Sequence, residues 1–413
     1  MHIWLISFLL FSMLIGRRTL SYFQLGPFYW IELISLIVLF VVIMRIFILQ
    51  FNVRFSGMRN VGSIAVFLYL ILSAVLLAIY GFNEGKELIL VFYVSYYFLF
   101  LFIFNNSNYK SLHNFKRFWV FVFPLIPLII PPGKILIIAL FGEIAMPGGT
   151  FVYPVTFMIS LLLVKNIFLR YFLSSVSMIF IFLSFERGSF VNLFIIIFVL
   201  SLVFIFNDER KKLREFYQGL VLMFIGGLFA LSVVFPLFDF SDFRYSLDLS
   251  SFIEFIQSIF VSESAYGGTR NHRIEMWMGV LDKSFNNGVL SILFGNGFEG
   301  TVSDTDFRAI HNEYISIYYR TGLIGLILYV FFLMSVMLQF IRLMKYDQKV
   351  SIILLIVLVG FLSDALTGTI ITSPFLSVVV YAMLAYGTAW SYALDRHRHA
   401  RSKINTLYTK SQI

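Results

Sequence analysis

The chain has 413 residues, of which 60% are hydrophobic and 13% are charged, and its mean hydropathy is +0.89. Soluble domains average about 45–50% apolar and about 25% charged residues, so this balance excludes a soluble protein and predicts an integral membrane protein. The net charge of +9 comes from basic residues scattered through short loops, which indicates membrane topology and argues against a nucleic-acid partner. The absence of cysteine excludes disulfides, thiolate nucleophiles and cysteine-ligated zinc.

Apolar runs long enough for membrane-spanning helices recur along the whole chain, each close to the length of about 20 residues that a bilayer requires. A membrane barrel would instead show alternating strands of about ten residues. The sequence therefore predicts an all-α polytopic membrane protein with about twelve transmembrane helices. The predicted spans are 2–16, 28–50, 61–81, 87–105, 117–132, 150–166, 170–185, 188–206, 217–237, 311–341, 350–366 and 374–394.

The loops on the two sides of these spans differ in charge. With both termini in the cytoplasm, the inner loops hold 20 of the 31 basic residues and the outer side holds 11. This positive-inside bias supports that orientation, although Arg17 and Arg18 follow the first span on the outer side and leave its direction open. Four regions result: helices 1–9 in 1–237, an extracytoplasmic (periplasmic) loop in 238–310, helices 10–12 in 311–394, and a basic cytoplasmic tail in 395–413.

Charged residues interrupt the apolar pattern between the seventh and eighth spans. The short turn there places Arg187 at the outer membrane boundary, beside Glu186. A charge at the membrane boundary needs a partner and favours a functional site. A simple ion pair between the two neighbours explains the turn equally well.

The middle of the outer loop is predicted to be an amphipathic helix lying on the membrane surface, with Thr269 as its cap. Its apolar stripe is Ile274, Trp277, Met278, Leu281 and Phe285. Arg270, Arg273 and Trp277 share one edge of this helix, at spacings of three and four residues. Because guanidinium groups bind phosphate oxygens in a bidentate manner, the two arginines predict a diphosphate site. The alternative is that they contact lipid headgroups.

Glycines follow this helix at Gly295, Gly297 and Gly300, which gives the spacing G-x-G-x-x-G. A dinucleotide-binding fold would also need a strand before the glycines and a βαβ unit around them. Neither is predicted here. The glycines are therefore interpreted as a tight turn.

The tenth span begins with a histidine. At about 100° per residue, His311 shares one predicted helix face with Ile315, Tyr318, Gly322 and Gly325. The two glycines are expected to let another helix approach closely, which would clamp this helix below a histidine held at the aqueous boundary. That position suits a reactive base, and the alternative is a surface histidine on a packing helix.

Arg320 lies nine residues after His311, about 180° around the predicted helix. Counting some 20 residues back from Arg342 uses up the hydrocarbon core at Gly322. Arg320 is therefore expected to extend its side chain to the membrane interface.

Three sets of residues together carry a resemblance to a known family. They are Arg187 and Gly188 opening a late span; Arg273 and Trp277 followed by Leu293, Phe294, Gly295, Asn296 and Gly297; and His311 and Asn312 followed after nine residues by Gly322 to Gly325 and Leu326. Their order and spacing, with the large outer loop before the third-last span, resemble the bacterial O-antigen polymerases and O-antigen ligases. The resemblance is strongest over 184–328.

The resemblance implies a membrane glycosyltransferase of the GT-C kind that needs no metal or other cofactor. Its donor would be an oligosaccharide on undecaprenyl diphosphate, and the active site would face the periplasm from the bacterial inner membrane. Expected partners are this donor, membrane lipids and a polysaccharide chain-length regulator.

The same resemblance implies roles for individual residues. His311 would be the general base that activates an acceptor hydroxyl, while Arg187, Arg273 and Arg270 would hold the diphosphate. The spacing to Trp277 favours Arg273 over Arg270. The residues expected to support the site are Asn312, Glu313, Trp277, Gly322, Gly325 and Arg320.

Polymerase and ligase share this chemistry and differ in the acceptor, which is a second lipid-linked repeat for a polymerase and lipid A core for a ligase. The 51 phenylalanines and the tyrosine-rich spans favour a polymerase. A lipid-linked glycan transporter is a third interpretation. It is disfavoured because it should carry paired charges near the membrane midplane and repeated halves.

The positive-inside bias generates a prediction about orientation. Single cysteines introduced at Lys211 and at Ser258 into this cysteine-free chain are expected to react with a membrane-impermeant maleimide from opposite sides of the membrane. Labelling of both positions from the same side would contradict the predicted topology.

Overall fold

The computed structural model of the protein describes seven stretches of the chain and several short ones. The seven stretches are 60–80, 85–126, 152–184, 187–206, 267–297, 312–367 and 374–411. Isolated residues between 4 and 44, Leu128, and several residues between 213 and 225 are described as well. The predicted spans 2–16, 28–50 and 217–237 lie mostly outside the described residues.

Regular structure in these stretches is almost entirely helical. In chain order the helices are α1 Val61–Tyr80, α2 Gly85–Asn105, α3 Tyr109–Val122, α4 Val152–Leu163, α5 Ile167–Ser184, α6 Arg187–Phe206, α7 Gly267–Asn286, α8 Val289–Phe294, α9 Glu313–Leu343, α10 Gln348–Thr367 and α11 Pro374–Ser411. A 3-10 turn, Phe123–Leu125, follows α3. Two short antiparallel strands, β1 Gln24–Leu25 and β2 Phe28–Tyr29, pair with Gln24 opposite Tyr29.

Within the described residues, five helices are long and apolar enough to cross a membrane, namely α1, α6, α9, α10 and α11. The apolar parts of α2, α4 and α5 are shorter. Helices cover most of the described residues in nine predicted spans, namely 61–81, 87–105, 117–132, 150–166, 170–185, 188–206, 311–341, 350–366 and 374–394. The protein is thus an α-helical membrane protein, as its composition predicts.

The predicted span 117–132 differs from the structure. The helix there, α3, begins eight residues earlier because the Asn108 side chain caps it and accepts a hydrogen bond from the Ser111 N–H at 2.8 Å. Its buried residues recur every three or four positions, which makes α3 amphipathic rather than apolar all round. They are Leu112, Phe115, Trp119 and Val122.

The interior of the bundle is built on α10 and α11. In the apolar stretches of both helices 83% of the residues are buried, against 33% in α9 and 39% in α1. α10 packs against α6, α9 and α11, while α11 also packs along α2 and α9 packs along α1. A helix that is apolar all round belongs in such a position.

The helices define two ends of the bundle. α6, α9 and α11 begin near the end of α10, and this end is called the Asn312 end after the N-cap residue of α9. The Asp347 end is the opposite end, where a short turn joins α9 to α10.

Polar and aromatic contacts hold the Asp347 end together. The Asp347 carboxylate accepts hydrogen bonds from Lys116 of α3 at 2.5 Å and from the Trp390 indole of α11 at 3.0 Å. The ring of Tyr109 stacks on Trp390 and on His397, with centroids 5.1 Å apart in both pairs. α11 continues past its predicted end at 394 to Ser411, so the last span and the basic tail form one helix.

Candidate functional site

α9 is broken at Gly322, inside the predicted tenth span. Gly322 has φ 67° and ψ −171°, a conformation that glycine adopts readily and that does not continue a helix. Carbonyls just before such a break lose their helical donors and need others. The Tyr319 carbonyl accepts from the Asn296 N–H at 2.7 Å, and the Arg320 carbonyl accepts from the Gly297 N–H at 3.1 Å. The segment after α8 therefore supplies the hydrogen-bond donors that α9 lacks at the break.

Two glycines let these backbones meet. A Cβ on Gly295 would overlap the Arg320 carbonyl, and a Cβ on Gly322 would overlap the Leu293 carbonyl. Gly295 and Gly297 also have positive φ, of 83° and 72°. The predicted tight turn at Gly295 and Gly297 is confirmed, while Gly300 lies outside the described residues.

The Asn296 side chain joins three helices at this point. Its Oδ1 accepts from the Asn287 amide at 2.7 Å and from the Ser291 hydroxyl at 2.6 Å. Its Nδ2 donates to the Ser284 hydroxyl at 3.1 Å and to the Tyr319 carbonyl at 3.4 Å. All four hydrogen-bonding positions of the amide are used, and α7, α8 and α9 are linked.

The predicted close approach at Gly322 and Gly325 is realised in a different way. Leu293 and Gly295 at the end of α8 contact Gly322, rather than a membrane-spanning helix. At Gly325 the space is filled by Thr321 of α9 itself, with Leu72 of α1 next to it. The prediction of one continuous helical face is wrong because the chain leaves helical geometry at Gly322.

The start of α9 is fastened to the end of α10. Asn312 is the N-cap: its Oδ1 accepts from the Ile315 N–H at 3.1 Å, and its Nδ2 donates to the Leu366 carbonyl at 3.2 Å. The Tyr314 hydroxyl donates to the Leu362 carbonyl at 3.1 Å. Leu366 lies in the last turn of α10, where carbonyls lack helical donors. His311, which precedes this cap directly, lies outside the described residues.

Glu313 is the first residue of α9 and is only 2% exposed. A carboxylate in the first turn of a helix interacts favourably with the helix dipole. Asp364, in the last turn of α10, is a second buried acid, 5% exposed. Asp364 has no role among the sequence predictions, although a single acidic residue in an apolar helix is a signal for function.

Arg187 is the first residue of α6, also at the Asn312 end. The Asn192 amide of α6 donates to the Gly360 carbonyl of α10 at 3.2 Å. Gly360 and Leu366 are about 9 Å apart along α10, at 1.5 Å per residue. The starts of α6 and α9 are therefore bound to the same end of one buried helix. The side chain of Arg187 lies outside the described residues.

α7 is held against the first turns of α9. Trp277 and Val280 of α7 pack in a small cluster with Ile315 and Tyr319 of α9. Arg273 is one helical turn before Trp277 on α7, and His311 is four residues before Ile315 in the sequence. Arg270 is a further turn back on α7, and the side chains of both arginines lie outside the described residues.

The predicted helix at α7 is confirmed, but its buried face differs from the predicted stripe. Val280 and Ser284 are buried, while Met278 and Phe285 are 54% and 59% exposed. Trp277 and Leu281 are half-buried, and the side chain of Ile274 is not described. Tertiary contacts explain the difference. The Asn296 amide donates a hydrogen bond to the Ser284 hydroxyl, and Val280 packs in one cluster with Tyr319.

Arg320 is half-buried and lies two residues before the break at Gly322. Among the described residues no group of three or more His, Cys, Asp or Glu side chains could hold a metal ion. The arrangement instead gathers helix starts, buried acids and backbone carbonyls at one end of the bundle. No protein-family model and no curated protein matches the chain.

The break generates a prediction. Gly322→Ala is expected to lower the thermal unfolding midpoint and to expose 287–297 to protease, because a Cβ there overlaps the Leu293 carbonyl. Differential scanning fluorimetry and limited proteolysis measure the two effects. Gly219→Ala is the matched control and should be milder, since its Cβ meets the end of the Leu161 side chain, which can rotate, rather than fixed backbone. Equal effects of the two substitutions would contradict the role of the break.

Proposed function

We propose that this protein is an O-antigen polymerase, which joins oligosaccharide repeat units carried on undecaprenyl diphosphate. The observation that carries the proposal is the convergence of the predicted site segments at the Asn312 end. Asn312 and Asn192 both bind α10, and Trp277 packs with Ile315. Three segments that are far apart in sequence, and that together carry the resemblance, thus share one region.

In this proposed function the chain has the twelve-span topology predicted from its sequence. About twelve spans in a GT-C-like arrangement would place the Asn312 end at the periplasmic face of the inner membrane. The Asp347 end would then face the cytoplasm, in keeping with its basic residues Lys116, Arg342 and Lys345. The loop 238–310, which contains α7 and α8, would lie on the periplasmic side.

In the proposed reaction His311 acts as the general base. Its neutral imidazole takes the proton of an acceptor hydroxyl on one lipid-linked repeat, and the resulting oxygen nucleophile attacks the anomeric carbon of the donor glycan. The bond between that carbon and the diphosphate oxygen breaks, and undecaprenyl diphosphate leaves with the bonding electrons. A positioned base of this kind contributes typically about 10²–10⁴ to the rate.

Arginines are the suitable partners for the leaving group. A diphosphate is already a good leaving group, so stabilising its charge contributes more than supplying an acid. Guanidinium groups stay protonated and bind phosphate oxygens with two parallel hydrogen bonds. Arg187, Arg270 and Arg273 are assigned this role.

The described contacts support a fixed position for these segments. Asn312 caps α9 and binds Leu366, which orients the chain that enters α9 from His311. Asn296 links α7 to the broken part of α9, which fixes the helix that carries Arg270 and Arg273. Catalysis by orientation depends on such rigid supports.

O-antigen ligase is the alternative, because a ligase would use the same base and the same arginines. The acceptor decides between them. Purified protein in liposomes that contain only lipid-linked repeats should lengthen the glycan if it is a polymerase. Transfer that requires added lipid A core would identify a ligase.

The role of His311 generates a prediction. His311→Ala is expected to lower the rate of glycan elongation by about 10² or more with little change in donor binding, because the base acts on the acceptor proton in the transition state. In the unsubstituted protein the rate should fall as the pH drops and the imidazole gains a proton, since only the neutral form accepts one. Elongation assays over a pH series measure both effects.

His113→Ala is the matched control, since His113 lies on α3 at the Asp347 end. Burial and, after it, the charges of Arg117 and Lys116 lower the pKa of His113. The imidazole of His113 is therefore less protonated at neutral pH than a free one. The control should keep the elongation rate and the pH profile. Folded, donor-binding His311→Ala protein with an unchanged rate and pH profile would make His311 structural, and Glu186 and Glu313 would be tested next.

The diphosphate assignment generates a separate prediction. Arg273→Lys keeps the positive charge but loses the bidentate geometry, so a large loss of turnover is expected with normal membrane insertion. Lys283→Arg, on the exposed last turn of the same helix, is the control and should leave turnover unchanged. Full activity of Arg273→Lys would contradict the diphosphate role and favour the alternative, in which Arg273 contacts lipid headgroups.

A further inference from the structure

The short helix α8 presents apolar side chains outward. Val289 is 69% exposed and Leu290 is 72% exposed, and Phe294 is 39% exposed. Phe285, at the end of α7 and just before the turn that leads to α8, is 59% exposed. A cluster of large exposed apolar residues marks a surface that another apolar phase covers. Val289, Leu290, Phe294 and Phe285 are called the α8 surface.

The depth of the α8 surface follows from α9. From Leu323 to Leu343 the unbroken inner part of α9 is about 30 Å long at 1.5 Å per residue, which matches the hydrocarbon core. Arg342 and Lys345 mark one boundary of this length, so Gly322 lies at the other. Because Leu293 and Gly295 contact Gly322, α8 lies at the membrane boundary too.

The end of α8 lies beside Gly322, directly before a face of α9 that carries exposed apolar residues. These residues recur at helical spacing directly after the break, and each is 40–56% exposed: Leu323, Ile327, Val330, Phe331, Met334 and Leu338. Such a stripe on a membrane-spanning helix contacts lipid. Phe294 is next to Gly295, which packs on Gly322, so one end of the α8 surface lies close to the start of this stripe.

The irregular backbone next to α8 also fits a position in the membrane. Non-helical backbone at that depth is tolerated only where it is buried in protein and hydrogen-bonded. Gly295 and Gly297 are buried, and the N–H groups of Asn296 and Gly297 donate to α9. The Asn296 side chain, which could otherwise face lipid, is fully hydrogen-bonded within the protein.

We infer that α8 is an interfacial anchor: Val289, Leu290, Phe294 and Phe285 insert into the acyl chains of the membrane leaflet at the Asn312 end. α8 enters and leaves the leaflet on the same side, because six residues are too few to cross it. Interfacial helices of this kind bury their apolar face about 5–10 Å into the headgroup and acyl boundary. The anchor holds the Phe285 side of α7 on the membrane, whereas Lys283 lies about 200° away around α7, on the opposite side. This inference does not depend on the proposed reaction.

Spin labels in the cysteine-free chain test this inference. Single cysteines at Leu290 and, independently, at Val289 are labelled in protein reconstituted into phosphatidylethanolamine and phosphatidylglycerol liposomes. Phe331 on the lipid-facing stripe is the apolar control, and exposed Lys283 on α7 is the aqueous control. Collision with oxygen reports lipid, and collision with a water-soluble nickel chelate reports water.

The expected oxygen-to-nickel ratio at Leu290 and Val289 is close to that at Phe331 and at least about threefold above that at Lys283. A ratio equal to that at Lys283 would show that α8 lies in water and would overturn the inference. Low collision with both reagents would show that protein, from this chain or a second copy, covers the α8 surface. That result would overturn it as well.

A substitution gives a second readout without a label. Leu290→Asp should lower the thermal midpoint in liposomes, while Leu290→Phe should leave it unchanged, because a charge in the leaflet is unfavourable whereas a larger apolar side chain is not. Leu290 is exposed, so neither substitution should disturb the packing inside the protein. An unchanged midpoint for Leu290→Asp would contradict insertion.

Discussion

The break in α9 at Gly322 is the constraint on which the candidate site depends. A helix interrupted inside the protein leaves the Tyr319 and Arg320 carbonyls without helical donors, and a low-dielectric surrounding makes unbonded carbonyls unfavourable by several kcal/mol each. The N–H groups of Asn296 and Gly297 bind them. The chain after α8 is thereby fixed against α9, and α7 is fixed with it through the Asn296 side chain.

A second set of contacts fixes the same end of the bundle from the other side. α10 is largely buried and serves as the common reference, since Asn312 and Tyr314 of α9 and Asn192 of α6 all donate to its carbonyls. Every one of these contacts ends on backbone rather than on another side chain. Backbone acceptors in a buried helix move little, so the helix starts that carry the predicted site residues are held in a defined arrangement.

Buried polar groups also order the interior of the bundle. The Tyr329 and Tyr381 hydroxyls lie 3.1 Å apart between α9 and α11, and the Tyr97 hydroxyl of α2 lies 3.3 Å from that of Thr388. Between apolar helices in lipid there is no hydrophobic driving force for association, so such hydrogen bonds and close aromatic packing specify which faces meet. Together with the Lys116–Asp347 pair at the other end, they supply the rigid scaffold on which a site at the Asn312 end depends.

The sequence by itself determined the membrane class, the position of most helices, the helix at α7 and the turn at Gly295 and Gly297. The length of an apolar run, helical periodicity and glycine spacing are local properties of the sequence, so these features can be predicted without knowledge of tertiary contacts. The break at Gly322 was decided by tertiary structure, because a glycine in an apolar run is compatible with helical geometry until a distant backbone, here Leu293 to Gly295, packs against it. The buried face of α7 was decided in the same way. Ser284 faces inward because its partner, Asn296, follows on another element, and no periodicity within α7 encodes that contact.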